Sequence, residues 1–499
     1  MISTDQGRAA LPGGDPLRSV HRPVGAGLLI AYALGTAGCV HFPERDPLPD
    51  VPIPETYLIP EDGDPVERWW ELFDDPQLAD LVDQALNDNF NLRSAWARLE
   101  QADAMARQAQ AAFWPRLTLD ATAGYSRSIR RFPTGAGGGT ADVAIESGNY
   151  GLSLGAAYEV DIWGKVRHRS AAAGLDLDAT GDAVDGLAIT VAASISETWF
   201  ALISGHAAVA LLAKQLETNR TLLELIRLRY GQGLATSLDV RQQQQQVAAS
   251  QGLMARARGD LQIRRFQLAA MIGLPPGQGP EPETSELPYP PPMPGTGLPG
   301  ELIVRRPDVR AAQRRLVAAD HRVGAAIADL LPSLRLSANA GFSYPTLPDL
   351  FSNLAWSVLG NLTQTLFEGG RRMAEVDRTE AVLKERVNDY NDAVITALHE
   401  VERALVLERQ QDEQLKFLKV QQDHARSALD QARQSYGAGL TDFLRVLTAL
   451  QALQRLELTV LEAHRQLLSF RIQLYRALGG TWTQDLVPPG GDHAAPEAS

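Results

Sequence analysis

One cysteine, Cys39, among 499 residues excludes an intramolecular disulfide framework and any multi-cysteine metal site. Nine histidines are scattered without ligand spacing, so no metal site is expected. Cations do not predominate. The 47 Lys and Arg against 60 Asp and Glu give a formal net charge of -13, which argues against a nucleic-acid surface because phosphate binding needs clustered cations. Mean hydropathy is modest at -0.16, and no apolar run of about 20 residues is present to make a spanning helix. A chain of this kind that crosses a membrane must do so with strands. The most informative absence is proline: all 30 lie outside residues 134–274 and 349–487. A proline inside a helix costs ~3 kcal/mol, so these two blocks mark long unbroken helices.

What the chain does contain is a duplication. Adding 206 to a residue number carries Gly164-Lys165 onto Gly370-Arg371, Tyr230-Gly231-Gln232-Gly233-Leu234 onto Tyr436-Gly437-Ala438-Gly439-Leu440, and Gly273 onto Gly479, without a gap. Each copy holds a helical run of 66 residues from its first glycine to its tyrosine. At ~1.5 Å per residue that run reaches about 100 Å, so the helices must pack side by side in an array or coiled coil. The duplication therefore sets the organisation in place of a domain count from length.

At the amino terminus, Arg18, His21 and Arg22 precede an apolar run from Val24 to Ala37, shaped like a signal-peptide core and too short to span. Small residues before Cys39 resemble a bacterial lipoprotein cleavage site, although Thr36 stands where leucine is usual. The alternative is an ordinary signal peptide with an incidental cysteine. The expected order is a signal peptide over 1–38, a lipid-anchored extended segment over 39–68, and a first repeat over 69–274. A Pro-rich linker over 275–300, with ten prolines, a second repeat over 301–482 and a mobile tail over 483–499 complete it. Residues 40–65 should have little packing of their own. Asp75 and Pro76 cap and start a helix that continues through Leu92, Ala95, Leu99 and Ala102.

After Phe113-Trp114-Pro115 the period changes from helical to two. Leu117, Leu119, Ala121, Ala123 and Tyr125 share one face, and Leu334, Leu336, Ala338, Ala340 and Phe342 do the same 217 residues later. Tyr150 to Val160 gives a third such face, and 354–366 a weaker fourth. Strands are expected near 116–126, 150–161, 333–343 and 354–366, with an exposed loop from Arg130 to Gly148. This alternation fits a membrane barrel with lipid outside and water inside, or a half-buried soluble sheet. Four strands cannot close, since a lipid-exposed sheet leaves no edge and barrels need about eight strands. Two chains would give a filled barrel of about eight strands, three a water-filled barrel of about twelve.

These words together resemble the outer-membrane efflux-channel family, the TolC-like proteins, in the NodT or OprM-like lipoprotein branch. The matching pieces are the helix from Trp69-Trp70 to Leu86, Tyr158-Glu159-Val160-Asp161-Ile162-Trp163-Gly164-Lys165, and Arg305-Arg306-Pro307-Asp308-Val309. They continue with Leu366-Phe367-Glu368-Gly369-Gly370-Arg371-Arg372, the Tyr436 to Leu440 turn, and Leu474-Tyr475-Arg476-Ala477-Leu478-Gly479-Gly480. The resemblance implies a mainly α fold with membrane β. Three copies would form a twelve-stranded outer-membrane β-barrel continued by a long periplasmic α-helical barrel, with two structural repeats per chain. The implied function is the exit duct of a tripartite efflux pump: a passive gated channel, not an enzyme, exporting small molecules such as drugs and solutes. Its implied partners are a periplasmic adaptor, a proton-driven inner-membrane transporter and outer-membrane lipid, with no cofactor. Val40 fits outer-membrane sorting, since aspartate after the lipidated cysteine is the usual inner-membrane retention signal.

The resemblance also locates candidate sites. Helix-tip turns are expected at Tyr230, Gly231, Gly233 and Leu234 and at Tyr436, Gly437, Gly439 and Leu440, and strand-to-helix turns at Trp163, Gly164, Gly369 and Gly370. The family's closed periplasmic mouth lies just after the tips and is ringed by acids. Here Asp239 is retained, but Arg445 and Thr448 stand at positions often acidic, with Asp442 nearby. An ion pair between Asp239 and Arg445 would hold the mouth shut, against the alternative of two solvated charges at helix starts.

Catalytic patterns fail on inspection. Gly151-Leu152-Ser153-Leu154-Gly155 matches a G-x-S-x-G elbow, but that elbow must turn from strand into helix and this segment keeps alternating. His399-Glu400 opens a zinc-protease motif whose second histidine is replaced by Arg403. Gln242 to Gln245 reads as a polar helix face lining water. The rival class, a periplasmic coiled-coil spacer without a pore, needs no strands with lipid-facing alternation.

Overall fold

The computed structural model describes residues 51–59, 66–134 and 139–488. Cys39 lies outside the described residues. The first repeat comprises α1 (Pro76–Asp88), α2 (Phe90–Gln110), β1 (Arg116–Thr134), β2 (Gly139–Val160), α3 (Lys165–Gly231) and α4 (Ser237–Met271). The second comprises α5 (Pro307–Ala328), β3 (Ser333–Tyr344), β4 (Leu354–Thr363), α6 (Arg371–Gly437) and α7 (Phe443–Leu478). The equivalent helices α3 and α6 are each 67 residues long.

Apolar content in α3 exceeds the reading from sequence. It holds an 18-residue stretch apolar enough to cross a membrane, but 61% of that stretch is buried within the chain. Its Val191, Ile195, Trp199, Phe200, Leu202 and Ile203 fill the largest core, so α3 is a core helix. The double tryptophan anchors the same core. Trp69 stacks on Tyr475 at 5.1 Å, and Trp70 meets Trp482 edge-on at 4.8 Å. The start of the first repeat and the end of the second thus close on each other, with Glu67 accepting from the Thr481 and Trp482 amides at 2.7 and 3.0 Å.

Three local expectations are corrected. Asp75 caps α1 through the Leu78 amide at 3.1 Å with Pro76 in the first turn, but the helix does not run on. Asn89 takes an extended conformation and starts α2 by accepting from the Leu92 amide at 3.1 Å. Its side chain also accepts from the Asn91 amide at 3.0 Å and donates to the Met271 carbonyl at 2.8 Å, so three hydrogen bonds favour the break. Residues 51–59 form no regular element yet are packed, because Tyr57 is buried among Leu302, Val309 and Tyr390 of the second repeat. The tail beyond Trp482 begins as a 3-10 turn, Trp482–Asp485, with Thr483 buried.

The four strands form one antiparallel sheet in the order β1-β2-β3-β4. Direct partners in such a ladder share a face. Leu119 pairs with Leu154, Leu154 with Ala340, and Ala340 with Trp356, so one apolar face crosses all four strands. The opposite row runs through the charged Asp120, the small polar Ser153 and Gly341. Gly341 is needed there: a Cβ would lie 2.6 Å from the Ser153 Cβ. The expected loop from Arg130 to Gly148 is largely strand. β1 and β2 stay paired to Thr134 and Gly139, held by Arg131–Asp142 at 2.7 Å and by the Tyr125 hydroxyl on Glu146 at 2.6 Å.

Candidate functional site

The wall is built from the sheet. On the apolar face Trp356 is 75% exposed, beside exposed Leu117, Leu119, Val358 and Leu354. Soluble proteins rarely leave such a patch open. The band from Leu117 to Tyr125 matches the 9–11 tilted residues that cross a bilayer, roughly 30 Å. Below it lie Trp114, 77% exposed, and Phe367, 89% exposed, at the level where aromatic girdles sit. Above it the same face turns charged, with Arg127, Arg131, Asp142 and Glu146 paired across the hairpin. The hairpin therefore extends past the lipid into water.

Strands hand over to helices at a braced neck. Gly164 and Gly370 adopt φ of 78° and 83°, the left-handed region that favours glycine, and Gly369 has φ 59°. The Asp161 carboxylate accepts from the Val166 and Arg167 amides, both at 2.9 Å, and so satisfies the first turn of α3. The Trp163 indole donates to the Pro332 carbonyl at 2.7 Å, joining the repeats. Lys165 pairs with Asp329 at 2.7 Å and with Glu159 at 3.3 Å. Burial would raise the Asp329 carboxyl, but Lys165 and Arg372 hold it below its ordinary value.

At the far end both Tyr-Gly-x-Gly-Leu turns close in the same way. The Leu234 amide donates to the Arg229 carbonyl at 2.8 Å and that of Gly233 to Tyr230 at 3.0 Å; Leu440 and Gly439 repeat this on Ser435 and Tyr436 at 2.9 and 3.1 Å. This is the Schellman motif, which needs a left-handed residue at the penultimate step. Gly233 and Gly439 supply it with φ of 76° and 71°. Gly231 and Gly437 end the helices themselves. The tips meet each other: the Arg229 guanidinium lies 4.5 Å above the Tyr436 ring, and Ile226, Leu429, Phe443 and Val446 form a small core behind it. Tyr230, Leu234 and Leu440 point outward and are exposed.

The gate residues are brought to this end but not into contact. Asp239 forms a capping box with Thr236, its carboxylate accepting from the Thr236 amide at 2.8 Å. Asp442 caps α7 by accepting from the Arg445 amide at 3.3 Å, and the Thr448 hydroxyl donates to the Leu444 carbonyl at 2.8 Å. Among the described residues no ion pair joins Asp239 to Arg445, whose side chain is exposed. Both aspartates serve first as helix caps, a local role open to any Asp at a helix start.

Sequence reading missed the polar layer above the tips. The glutamine run of α4 does not form one wet face: Gln243 is fully buried and donates to the Asn219 carbonyl at 2.8 Å. Asn219 of α3 donates to Ser250 of α4 at 2.7 Å, and Gln215 donates to the Gln454 carbonyl of α7 at 3.0 Å. Gln451 donates to Gln246 at 2.7 Å. A buried amide network of this kind fixes helix register, although the Gln243 Oε1 is left without a hydrogen-bond partner. Amides recurring at helical spacing, Gln215 with Asn219 and Gln451 with Gln454, were the available signal. Also missed were ion pairs between elements: the largely buried Arg310 with Asp182 and Asp185 at 2.9 and 2.8 Å, and the buried Arg306 with the more exposed Glu400 at 2.8 Å. Glu400, the acid of the failed zinc motif, is thus a structural partner. Ser153 lies mid-strand in β2, far from any strand-to-helix turn.

A four-stranded sheet with a lipid-facing side and two open edges, continued by long helical hairpins, defines one protomer of an oligomeric membrane channel. The family model described as Outer membrane efflux protein matches residues 81–274 and 298–480, and the chain belongs to that family. It is similar to the pyoverdine export outer membrane protein OpmQ of Pseudomonas putida, with 30% identity over 84% of this chain and 89% of the relative. Among solved structures it resembles the outer-membrane channel OprN, with a TM-score of 0.78 and 28% identity over 87% of this chain and 99% of that one. The open state of the MtrE outer membrane channel of Neisseria gonorrhoeae gives a TM-score of 0.77 at 26% identity, over 89% and 98%. The chain is thus an outer-membrane efflux channel protein that reaches into the periplasm.

Proposed function

We propose that three copies of this chain close a twelve-stranded barrel and a continuous helical barrel, forming a passive exit duct for small molecules. One observation carries the reading: four strands share an unbroken apolar face and leave β1 and β4 as open edges. The exposed Leu234 and Leu440 at the tips present the surface that a periplasmic adaptor would dock, linking the duct to a proton-driven inner-membrane transporter. The lumen side mixes small residues, Thr118, Ser153, Gly155 and Gly341, with the charged Asp120, Glu159 and Arg335, and we assign specificity to the transporter because a wide water-filled duct places little chemical demand on its lining. Purified protein in a planar bilayer should conduct as a trimer. A folded, non-conducting monomer would overturn the proposal.

Closure is assigned to Asp239 and Arg445 of neighbouring copies, since neither meets the other within one chain. Screening holds an exposed pair to ~0–1 kcal/mol, and a narrow mouth raises that value. Arg445→Ala should increase the closed-state conductance, and an unchanged value removes the pair from the gate. Cys39 is assigned as the lipid attachment site. The intact mass of the mature amino-terminal peptide tests it, an unmodified cysteine being the adverse result.

A further inference from the structure

Two histidines that the channel reading does not use face each other just below the neck. His168 of α3 and His321 of α5 bring their Nδ1 atoms to 3.0 Å, with ring centroids 5.3 Å apart and planes tilted by 46°. Between neutral rings this contact requires one Nδ1–H donor and one bare Nδ1 acceptor. A metal ion is the other bridge that fits. Imidazole nitrogens bind such ions at ~2.0–2.1 Å, so two ligands at angles between square-planar and tetrahedral lie ~2.9–3.4 Å apart.

The frame around the pair is already rigid. The His168 amide donates to the Gly164 carbonyl at 2.8 Å, and the turn before it is fixed by Asp161 and by Lys165. The His168 ring lies flat on Gly324: a Cβ there would fall 2.9 Å from Cε1 and 3.0 Å from both ring nitrogens. Gly324 sits inside α5, where glycine costs helix stability of about 0.5–1 kcal/mol relative to alanine, and its use here clears room for the ring. Besides the facing His321 ring, the nearby charges acting on His168 include Arg167, Asp161 and Asp320. Both Asp161 oxygens accept backbone amides, so that carboxylate contributes field and not a bond.

We propose that His168 and His321 form a two-imidazole site for a divalent transition metal of the Cu2+ or Zn2+ class, with water completing the coordination. The site stands apart from the lipid-facing sheet and from the tips, and is independent of how the channel is gated.

The test titrates Cu2+ alone into tag-free, full-length protein in detergent, read by electron paramagnetic resonance and calorimetry. One Cu2+ per chain with hyperfine structure from two nitrogens is expected. His168→Gln and His321→Gln should each weaken binding by about tenfold or more. Gly324→Ala keeps both imidazoles and favours the helix, yet should also weaken binding by displacing the ring. Wild-type protein that binds no better than the His168→Gln/His321→Gln double variant overturns the proposal, as does affinity unchanged in all three single variants. Helical circular dichroism and elution volume equal to wild type confirm that each variant is folded.

Discussion

The two glycines of each tip turn should respond to alanine with opposite signs. Gly439 follows the end of α6 with φ 71°, and a Cβ there meets nothing within 4 Å. Alanine therefore adds no clash, and its cost reduces to holding an L-residue in the left-handed region, about 1–2 kcal/mol. Gly437, two positions earlier, is the last helical residue of α6 and is equally open, so the helix-interior penalty is the upper bound of what alanine can relieve. Alanine there removes at most a helix penalty of about 0.5–1 kcal/mol. The Leu440 amide, which donates to the Ser435 carbonyl at 2.9 Å, reports the difference directly. By amide hydrogen exchange, Gly439→Ala should open this bond about 5–30-fold more often, whereas Gly437→Ala should leave it as protected or better. Efflux complementation should fall for Gly439→Ala and persist for Gly437→Ala, if the tip's shape is what the adaptor reads. Equal responses of the two variants would refute the reasoning, and Gly233→Ala should mirror Gly439→Ala.

Arg471 and Glu408 are both buried, joined by a hydrogen bond of 2.6 Å from Nε, and Arg471 also donates to the Pro292 carbonyl at 2.9 Å. Arg471→Met should cost about 3–5 kcal/mol, because it takes the guanidinium away from a buried carboxylate. Adding Glu408→Leu should recover most of that in thermal unfolding, while proteolysis of the linker near residue 292 stays enhanced. A double variant no more stable than the single one would count against it. Burial would raise the Asp308 carboxyl, but the hydrogen bond and charge of Arg306 hold it below its ordinary value. Its contribution is therefore present above the unfolded carboxylate value of ~3.9 and lost as pH falls through the lower folded value. Asp308→Asn should lower the unfolding midpoint near neutral pH and converge with wild type in acid. A constant difference across that range is the adverse result.

How far the sequence spoke depended on whether one force acted alone. The two 67-residue helices were legible from missing proline, and the tip turns from glycines that only one backbone conformation explains. The apolar faces of the strands showed because lipid and water impose opposite demands on alternate residues. Where both faces of a strand are wet, as from Ser126 to Arg131, no such period exists, and cross-strand pairs such as Arg131–Asp142 hold the hairpin instead. The break at Asn89 and the burial of Tyr57 depend on partners, the Met271 carbonyl and the Leu302 to Tyr390 cluster, that lie far away in sequence. Gln243 reads as a wet residue until Asn219 is placed beside it.

The open edges also fix when the channel assembles. Within the band from Leu117 to Tyr125, alternate residues of β1 turn their amide and carbonyl away from β2, and β4 does the same on the other side. That leaves on the order of 16–20 unpaired groups per chain, and at several kcal/mol each in hydrocarbon the penalty reaches tens of kcal/mol. Domains have only about 5–15 kcal/mol to spare, so an inserted monomer is excluded and closure must accompany insertion. In the proposed barrel, closure joins β1 of one copy to β4 of the next with a parity rule, because successive side chains point to opposite faces. Asp120 shares its face with Ser153, Gly341 and Ala355. Asp120→Cys should then form intermolecular disulfides with at least one of Ala355→Cys, Ser357→Cys or Leu359→Cys, giving a ladder up to trimer on non-reducing gels. It should form none with Trp356→Cys or Val358→Cys, which sit on the lipid side beyond disulfide reach of ~4 Å between Cβ atoms. Bridges of both parities, or none at any position, would mean that these edges are not the seam.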